Sequence, residues 1–338
     1  MSKENEAVIL SAVRTPMGKF QGALSGIPAP KLGAIAVEEA VKRAGIDAAE
    51  VEEVIMGNVV AAGLGQAPAR QSLIFGGVPA TVSATTINKV CGSGLKAAMM
   101  SAQAVRAGDA DLFIAGGFES MSRAPYLVSG RMGELKFGNS QMTDALLNDG
   151  LWDPFENWGM GNAAEFIADE YEVTRAAMDE FALRSHMKAV EAQEAGRFNA
   201  EIIPVQIPGR KGEVTTVSVD EGPRKDTSLE SLAKLKPVFK ADGKVTAGNA
   251  SSMNDGAAAV VISSRAYAEK NKLKPMARIV GYAQAALEPK YLFAAPAHAL
   301  PKLLKKIGWT LQDVDLIELN EAFAAQVLAD GYALADQG

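Results

Sequence analysis

The chain has 338 residues, a formal net charge of −6, one cysteine and 48% hydrophobic residues. This acidic balance gives no electrostatic support to sequence-independent nucleic-acid binding. A single cysteine excludes an intramolecular disulfide and a cysteine-rich zinc site, and no apolar run approaches membrane length. The first residues, MSKENEAVIL, lack the long apolar stretch of a signal peptide. We therefore expect a soluble, cytoplasmic α/β protein of one to three domains without a metal site.

In chain order, EAVILSAVRTP (6–16) predicts a strand and LGAIAVEEAVKRAGI (32–46) a helix. DAAEVEEVIMGNVV (47–60) predicts a turn feeding a second strand, and QAPARQSLIFGG (66–77) a helix. TVSATTINKV (81–90) predicts a short buried strand, GLKAAMMSAQAVRAG (94–108) a helix stopped by Gly108, and ADLFIAGG (110–117) another strand. Cys91 then falls at a strand-to-helix turn, where the free N–H groups of a helix start favour a thiolate over a thiol. Gly92 and Gly94 carry no Cβ and would let a substrate approach the backbone. An inert, buried cysteine fits the same local pattern.

From about 121 to 252 the composition changes. The segment carries Trp152 and Trp158, several methionines and Gly/Pro-punctuated stretches such as EIIPVQIPGRKGEVTT. One amphipathic helix stands out in TRAAMDEFALRSHMKAVEAQEAG (174–196), with Thr174 as N-cap and Gly196 as its stop. We read this region as an insertion packed over the site. Beyond it, MARIVGYAQAA (276–286) predicts a strand, PAHALPKLLKKIGW (296–309) a helix, and TLQDVDLIELNEAF (310–323) a turn and strand.

The order strand, helix, turn and strand near the end repeats the order near the start. Lys42-Arg43-Ala44-Gly45 recurs as Lys305-Lys306-Ile307-Gly308, with Val51 and Val314 each six positions after the glycine. Alternating strands and helices imply mainly parallel sheets covered by helices. The first copy runs on through 59 residues after Ile55 to Ile114, the second through only 21 from Ile317 to Gly338. The second half is therefore expected to be incomplete, with an open sheet edge.

NKVCGSGLKA (88–97), GGFESMSRAPY (116–126), VTAGNASSMNDGAAAV (245–260) and ELNEAFAAQ (318–326) together resemble the thiolase family of acetyl-CoA C-acyltransferases. SAVRTPMGKFQGAL (11–24) and GNVVAAGLGQAPARQ (57–71) resemble it too, and the motifs run over the whole chain in the family's order. The resemblance implies a duplicated, layered αβαβα fold with an inserted loop domain. The N-terminal half would be 1–271, with the insertion at about 121–252, and a truncated C-terminal half would be 272–338. It also implies a cysteine that takes the acyl group of a 3-ketoacyl-CoA and passes it to CoA, or runs the reverse condensation. Cys91 matches that nucleophile, and Asn320 matches a residue holding a water that helps stabilise the thioester oxyanion. Arg224 matches a contact to the nucleotide end of CoA, and Ser231, Phe239, Ala247 and Ser251 match the pantetheine channel. Met160 and Phe323 match residues beside the acyl pocket. Coenzyme A is thus a substrate, with no permanently bound cofactor.

Taken alone, RKDTSLESLAKLKPVFKADGK (224–244) reads as a solvated charged face rather than a binding segment. The family's base is a histidine in a GHP motif, and a cysteine in a CxGGG motif moves the proton; neither motif occurs in the 338 residues. The histidines present, His186 and His298, lie in helical patterns and read as structural or exposed. Gly159 precedes Met160 where many acetoacetyl-CoA-type members carry a histidine, so an acetoacetyl preference does not follow. The chain alone is expected to be inactive. A non-catalytic acyl-CoA-binding or assembly subunit, and a ketoacyl-synthase-like condensing enzyme, are the other readings. The family forms homodimers, many paired into homotetramers through a loop resembled here by 128–150, with Met132, Leu135, Phe137 and Met142 spread through it.

Overall fold

The computed structural model describes residues 3–130, 135, 137–209 and 212–336. In chain order it forms β1 (Ala7–Arg14), β2 (Gly18–Lys19), α1 (Ala29–Ala44), β3 (Glu53–Gly57), α2 (Pro68–Phe75), β4 (Ser83–Ile87), α3 (Ser93–Ala107) and β5 (Leu112–Ser120). Short pairs β6 (Tyr126–Leu127) with β7 (Thr143–Asp144), and β8 (Trp152–Asp153) with β9 (Trp158–Gly159), precede α4 (Met160–Glu170) and α5 (Arg175–Glu194). Then come β10 (Val205–Pro208), β11 (Val214–Val217), α6 (Leu229–Ala233), β12 (Asn254–Ser264), α7 (Arg265–Lys270) and β13 (Ala277–Arg278). The described chain closes with α8 (Ala295–Ile307) and α9 (Ala324–Asp336).

These elements gather into two units. The first comprises Met1–Gly150, Phe198–Gly222 and Met253–Ile279; the second comprises Leu151–Arg197, Pro223–Ser252 and Val280–Gly338. Parts of the expected insertion thus fall in each unit, and most of the expected C-terminal half joins the second.

The first unit is built on one sheet in the order β13–β1–β12–β5–β3–β4, with β2 beside β12. It is mixed rather than mainly parallel. β3 runs parallel to β4 and β5, but β12 lies antiparallel between β1 and β5. β12 comes from NDGAAAVVISS, whose small residues carry no strong strand signal by themselves. Alternation along β3 sends Val54 and Met56 to one face, where Leu32, Val37 and Leu73 of α1 and α2 complete the core. The opposite face, with buried Ile55, Phe113 and Ala115, lies on the side of α3.

Two expected strands of the second half fail to form in full. Of 276–286 only β13 is strand, and it pairs with β1. Of 310–323, Leu311–Asp313 is a 3-10 turn and the following residues find no ladder partner among the described residues. A strand is stable only with a neighbour for its backbone groups, so Leu316 stands 90% exposed. The second unit instead packs helices. Ile167 of α4, Met178 of α5 and Ala325 and Ala329 of α9 share a core with Val245 and Ala294.

Local signals held where they depend on one element. Thr174 caps α5, its hydroxyl accepting the Ala177 N–H at 3.2 Å. Gly45 and Gly308 end the duplicated helices at φ 68° and 74°, a left-handed turn that a Cβ disfavours.

Candidate active site

Cys91 sits where expected, between β4 and α3 at the carboxyl ends of the parallel strands. The turn is strapped from within. Ser93 Oγ accepts the Lys89 N–H at 2.7 Å and donates to the Val90 carbonyl at 2.6 Å. Asn88 Oδ1 accepts the Val90 N–H at 2.9 Å. Val90 lies at φ 46°, an unusual conformation for a β-branched residue and one that the turn must hold. Cys91 is exposed as a residue although protein packs around its thiol, so it is not the fully buried cysteine that the local pattern also allowed.

Its electrostatics correct the sequence expectation. Protein packed around the thiol pushes its pKa up by desolvation, outweighing the lowering from a backbone N–H bond. The helix proper starts at Ser93, two residues after Cys91, so its orphan N–H groups do not produce the expected thiolate. Gly94 is not where the packing behind the turn requires a glycine. A Cβ on it would meet the Gly116 carbonyl at 3.6 Å, and one on Gly57 would lie 2.5 Å from Ser93 Cβ. Gly57, at the end of β3, thus lets the start of α3 lie close against the sheet behind Cys91.

The other candidate residues belong to the second unit, and several meet there. The NEAF segment is tied to the 245–251 loop. Ser251 N–H donates to the Ala322 carbonyl at 3.1 Å and Ala324 N–H to the Asn249 carbonyl at 2.9 Å, with Ala250 and Phe323 bridged. Asn320 is exposed at the start of this segment, and Ala247 and Ser251 are exposed on the loop. The Phe323 ring meets Phe293 edge-on at 5.5 Å.

Phe239 packs over Gly161, where a Cβ would come within 2.3 Å of its ring, and its carbonyl accepts the Asn162 amide at 3.0 Å. Met160, the first residue of α4, is therefore one residue from the Phe239 contact. Ser231 is spent on capping α6 with Ser228, its Oγ taking the Ser228 N–H at 3.0 Å. The Arg224 N–H donates to His186 Nδ1 at 3.2 Å, and its exposed guanidinium reaches Asp226 at 3.4 Å. Burial first, then Arg224, holds the His186 pKa below its ordinary value, so the ring is neutral and accepting.

Three supporting residues escaped sequence reasoning. Glu165, 3% exposed inside α4, accepts the Lys244 and Val245 N–H groups at 2.8 Å and so anchors the loop. Asn249 links it to Asp179 at 2.9 Å. Glu119 accepts the Val59 N–H at 2.8 Å and the Asn58 amide at 2.9 Å. Their signal was a charged or amide side chain inside an otherwise small, apolar run, GNAAEFIA for Glu165 and GGFES for Glu119.

The family model for "Thiolase, N-terminal domain" matches residues 7–266, and that for "Thiolase, C-terminal domain" matches 273–336. An acetyl-CoA acetyltransferase of Pseudomonas aeruginosa is 51% identical over 329 residues, covering 97% of this chain and 84% of the relative. One of Cupriavidus necator is 51% identical over 324 residues, covering 96% and 82%. The crystal structure of the Bacillus anthracis acetyl-CoA acetyltransferase superposes with a TM-score of 0.95 at 42% identity, covering 98% of this chain and 83% of that one. Fold, motifs and likeness agree: the chain has the thiolase fold and belongs to the thiolase family.

Proposed function

We propose that the chain carries the acyl-transfer chemistry of an acetyl-CoA C-acyltransferase, with Cys91 as acyl acceptor. The observation that carries this is the exposed cysteine on a strapped turn at the carboxyl ends of β3, β4 and β5. Relatives about half identical that are named acetyl-CoA acetyltransferases support it. In the cleavage direction the sulfur bonds to the 3-keto carbon and the C2–C3 bond breaks. The released carbanion takes a proton to become acetyl-CoA. Free CoA then attacks the acyl-cysteine, and the sulfur leaves with the electron pair. The condensation is the same sequence reversed.

Asn320 is the water-holding residue for the thioester oxyanion. Arg224, Ser231, Phe239, Ala247 and Ser251 receive CoA, with Met160 and Phe323 beside the acyl group. Ser231 Oγ must then serve CoA while capping α6. The domain boundary near 271/272, the insertion at about 121–252 and a cytoplasmic location belong to the same reading.

The raised Cys91 pKa makes the thiol the resting form, so acyl transfer needs a base. His186 is engaged by the Arg224 backbone, and His298 lies on α8. We hold that the 338 residues by themselves turn over no substrate, since acid–base groups each contribute about 10²–10⁴-fold. Mass analysis of peptides after incubation with acetyl-CoA tests the nucleophile. An acetyl group on Cys91, lost in Cys91→Ala, is expected; label confined to other residues refutes it. Acetoacetyl-CoA and a longer 3-ketoacyl-CoA, assayed with this chain and with one extended by a thiolase C-terminal segment, test the base. Equal turnover would return His186 and His298 to consideration.

Self-association is part of the proposal. β4 ends the sheet with no outer partner among the described residues, an edge suited to pairing with a second copy. In the 128–150 loop, Leu135, Phe137 and Met142 are exposed, while Met132 lies outside the described residues. Light scattering giving a dimer or tetramer is expected, and a monomer would refute it.

A further inference from the structure

The acyl-accepting turn is held by more than its own residues. Its most strained position is Val90, at φ 46°. Strain of that kind persists only where the surroundings over-determine the conformation. Asn88 supplies one restraint through its bond to the Val90 N–H at 2.9 Å. Asn88 is in turn restrained by the loop that follows β3. The Asn58 N–H donates to the Ile87 carbonyl at 3.1 Å, immediately before Asn88, and Asn88 Nδ2 reaches the Val59 carbonyl at 3.4 Å.

That loop is itself gripped by one side chain from the end of β5. Glu119 Oε2 accepts the Val59 N–H at 2.8 Å and, more weakly, the Val60 N–H at 3.4 Å. Glu119 Oε1 accepts the Asn58 amide at 2.9 Å. Asn58 is 2% exposed, and its amide points both N–H groups at acceptors, Glu119 and the Phe118 carbonyl at 3.2 Å. Its Oδ1 is left buried without a partner among the described residues. An orphan acceptor is costly, and it persists here because the amide is turned to serve Glu119.

We propose that Glu119 is a positioning residue for the Cys91 turn, acting through Asn58, Val59 and Asn88 on the strained Val90. The proposal rests on the reading of Cys91 as the acyl acceptor, but the mechanical link is measurable without acyl transfer. What the site needs from residue 119 is hydrogen-bond acceptance rather than charge. Glutamine there keeps an oxygen for the Val59 N–H. Its N–H can meet Asn58 Oδ1 only if that amide flips and gives up the Phe118 carbonyl, so the strap on Val59 is kept and only the Asn58 part is weakened. Alanine leaves the Val59 N–H without its acceptor and takes from the Asn58 amide one of its two acceptors, the Phe118 carbonyl remaining, and so frees the loop.

The test is alkylation of Cys91 by iodoacetamide in the full chain, followed across pH by peptide mass. In Glu119→Ala the turn relaxes, more water reaches the thiol and part of the packing that raises its pKa is relieved. The pH midpoint should fall by about one unit and the rate at pH 7.5 should rise up to about tenfold. Glu119→Gln should retain the parent profile. Ser11→Ala removes a buried 2.7 Å bond to the Ala40 carbonyl elsewhere in the same unit. It should lower the melting temperature and leave the midpoint where it was.

An unchanged profile in Glu119→Ala overturns the proposal. So do equal shifts in Glu119→Ala and Glu119→Gln, which would make charge responsible. So does an equal shift in Ser11→Ala, which would make general loosening responsible. The acetyl-CoA labelling of the parent is scored separately. Failure there, with the alkylation pattern intact, refutes the acyl-transfer reading and leaves Glu119 as the residue that sets Cys91 exposure.

Discussion

Gly57→Ala is the sharpest test of how the Cys91 turn is seated. Gly57 ends β3, and an ideal Cβ there lies 2.5 Å from Ser93 Cβ and 2.9 Å from both the Gly94 nitrogen and the Ser93 carbonyl carbon. Carbon atoms rest at about 3.5–4.0 Å from one another, so α3 must retreat by about 1 Å or β3 must bend. Two of the three opposing atoms are backbone at the start of a helix, so no rotamer change relieves the clash. Overpacking of this kind costs about 1–3 kcal/mol, and the upper end applies because the helix start moves as a unit. Gly94→Ala, at the same crossing, comes no closer than 3.6 Å to the Gly116 carbonyl, an ordinary contact. It should be neutral or slightly stabilising, because alanine favours helix more than glycine does. Urea unfolding of both variants, with the midpoint compared at unchanged slope, gives the costs. A loss below about 0.5 kcal/mol in Gly57→Ala, or a larger loss in Gly94→Ala, would refute the seating argument.

The second unit offers two more tests. Burial lifts the Asp330 carboxyl to about 6, against lowering by its bonds to Gln326 and the Ala297 N–H. Its folded pKa stands above the unfolded value of about 3.9, so the folded state holds the proton more tightly. The stability it lends is full below about pH 4 and is lost as pH rises through about 6, to a total of about 3 kcal/mol. Asp330→Asn keeps an oxygen for Ala297 and offers an N–H to Gln326 Oε1, which has no partner among the described residues. It should raise stability at pH 7.5 by about 1–3 kcal/mol and flatten the profile between pH 4 and 7. A variant less stable than the parent at pH 7.5 would contradict this. Glu165→Ala strips acceptors from the Lys244 and Val245 N–H groups and should cost about 3 kcal/mol. Hydrogen exchange should quicken across 243–251, and unchanged protection there would refute the anchoring role.

What the sequence determined by itself was whatever one segment can specify alone. Thr174 and the glycines at 45, 108 and 308 mark helix ends through bonds made within a turn of the chain. The motif around Cys91 put a cysteine between a strand and a helix, and the chain folds that way. Tertiary structure decided everything that needs a partner distant in sequence. β12 is weakly patterned, and it became the centre of the sheet because β1 and β5 offered it two ladders. Residues 314–318, better patterned, found none and stayed open. The Cys91 thiol was raised rather than lowered because packing around the turn outweighs a helix start two residues away. Glu119 and Glu165 gained their roles only when folding brought backbone N–H groups from 59 and 80 positions away to their carboxylates. Ladders and buried acceptors are agreements between separate stretches of chain, and no single stretch encodes both sides of them.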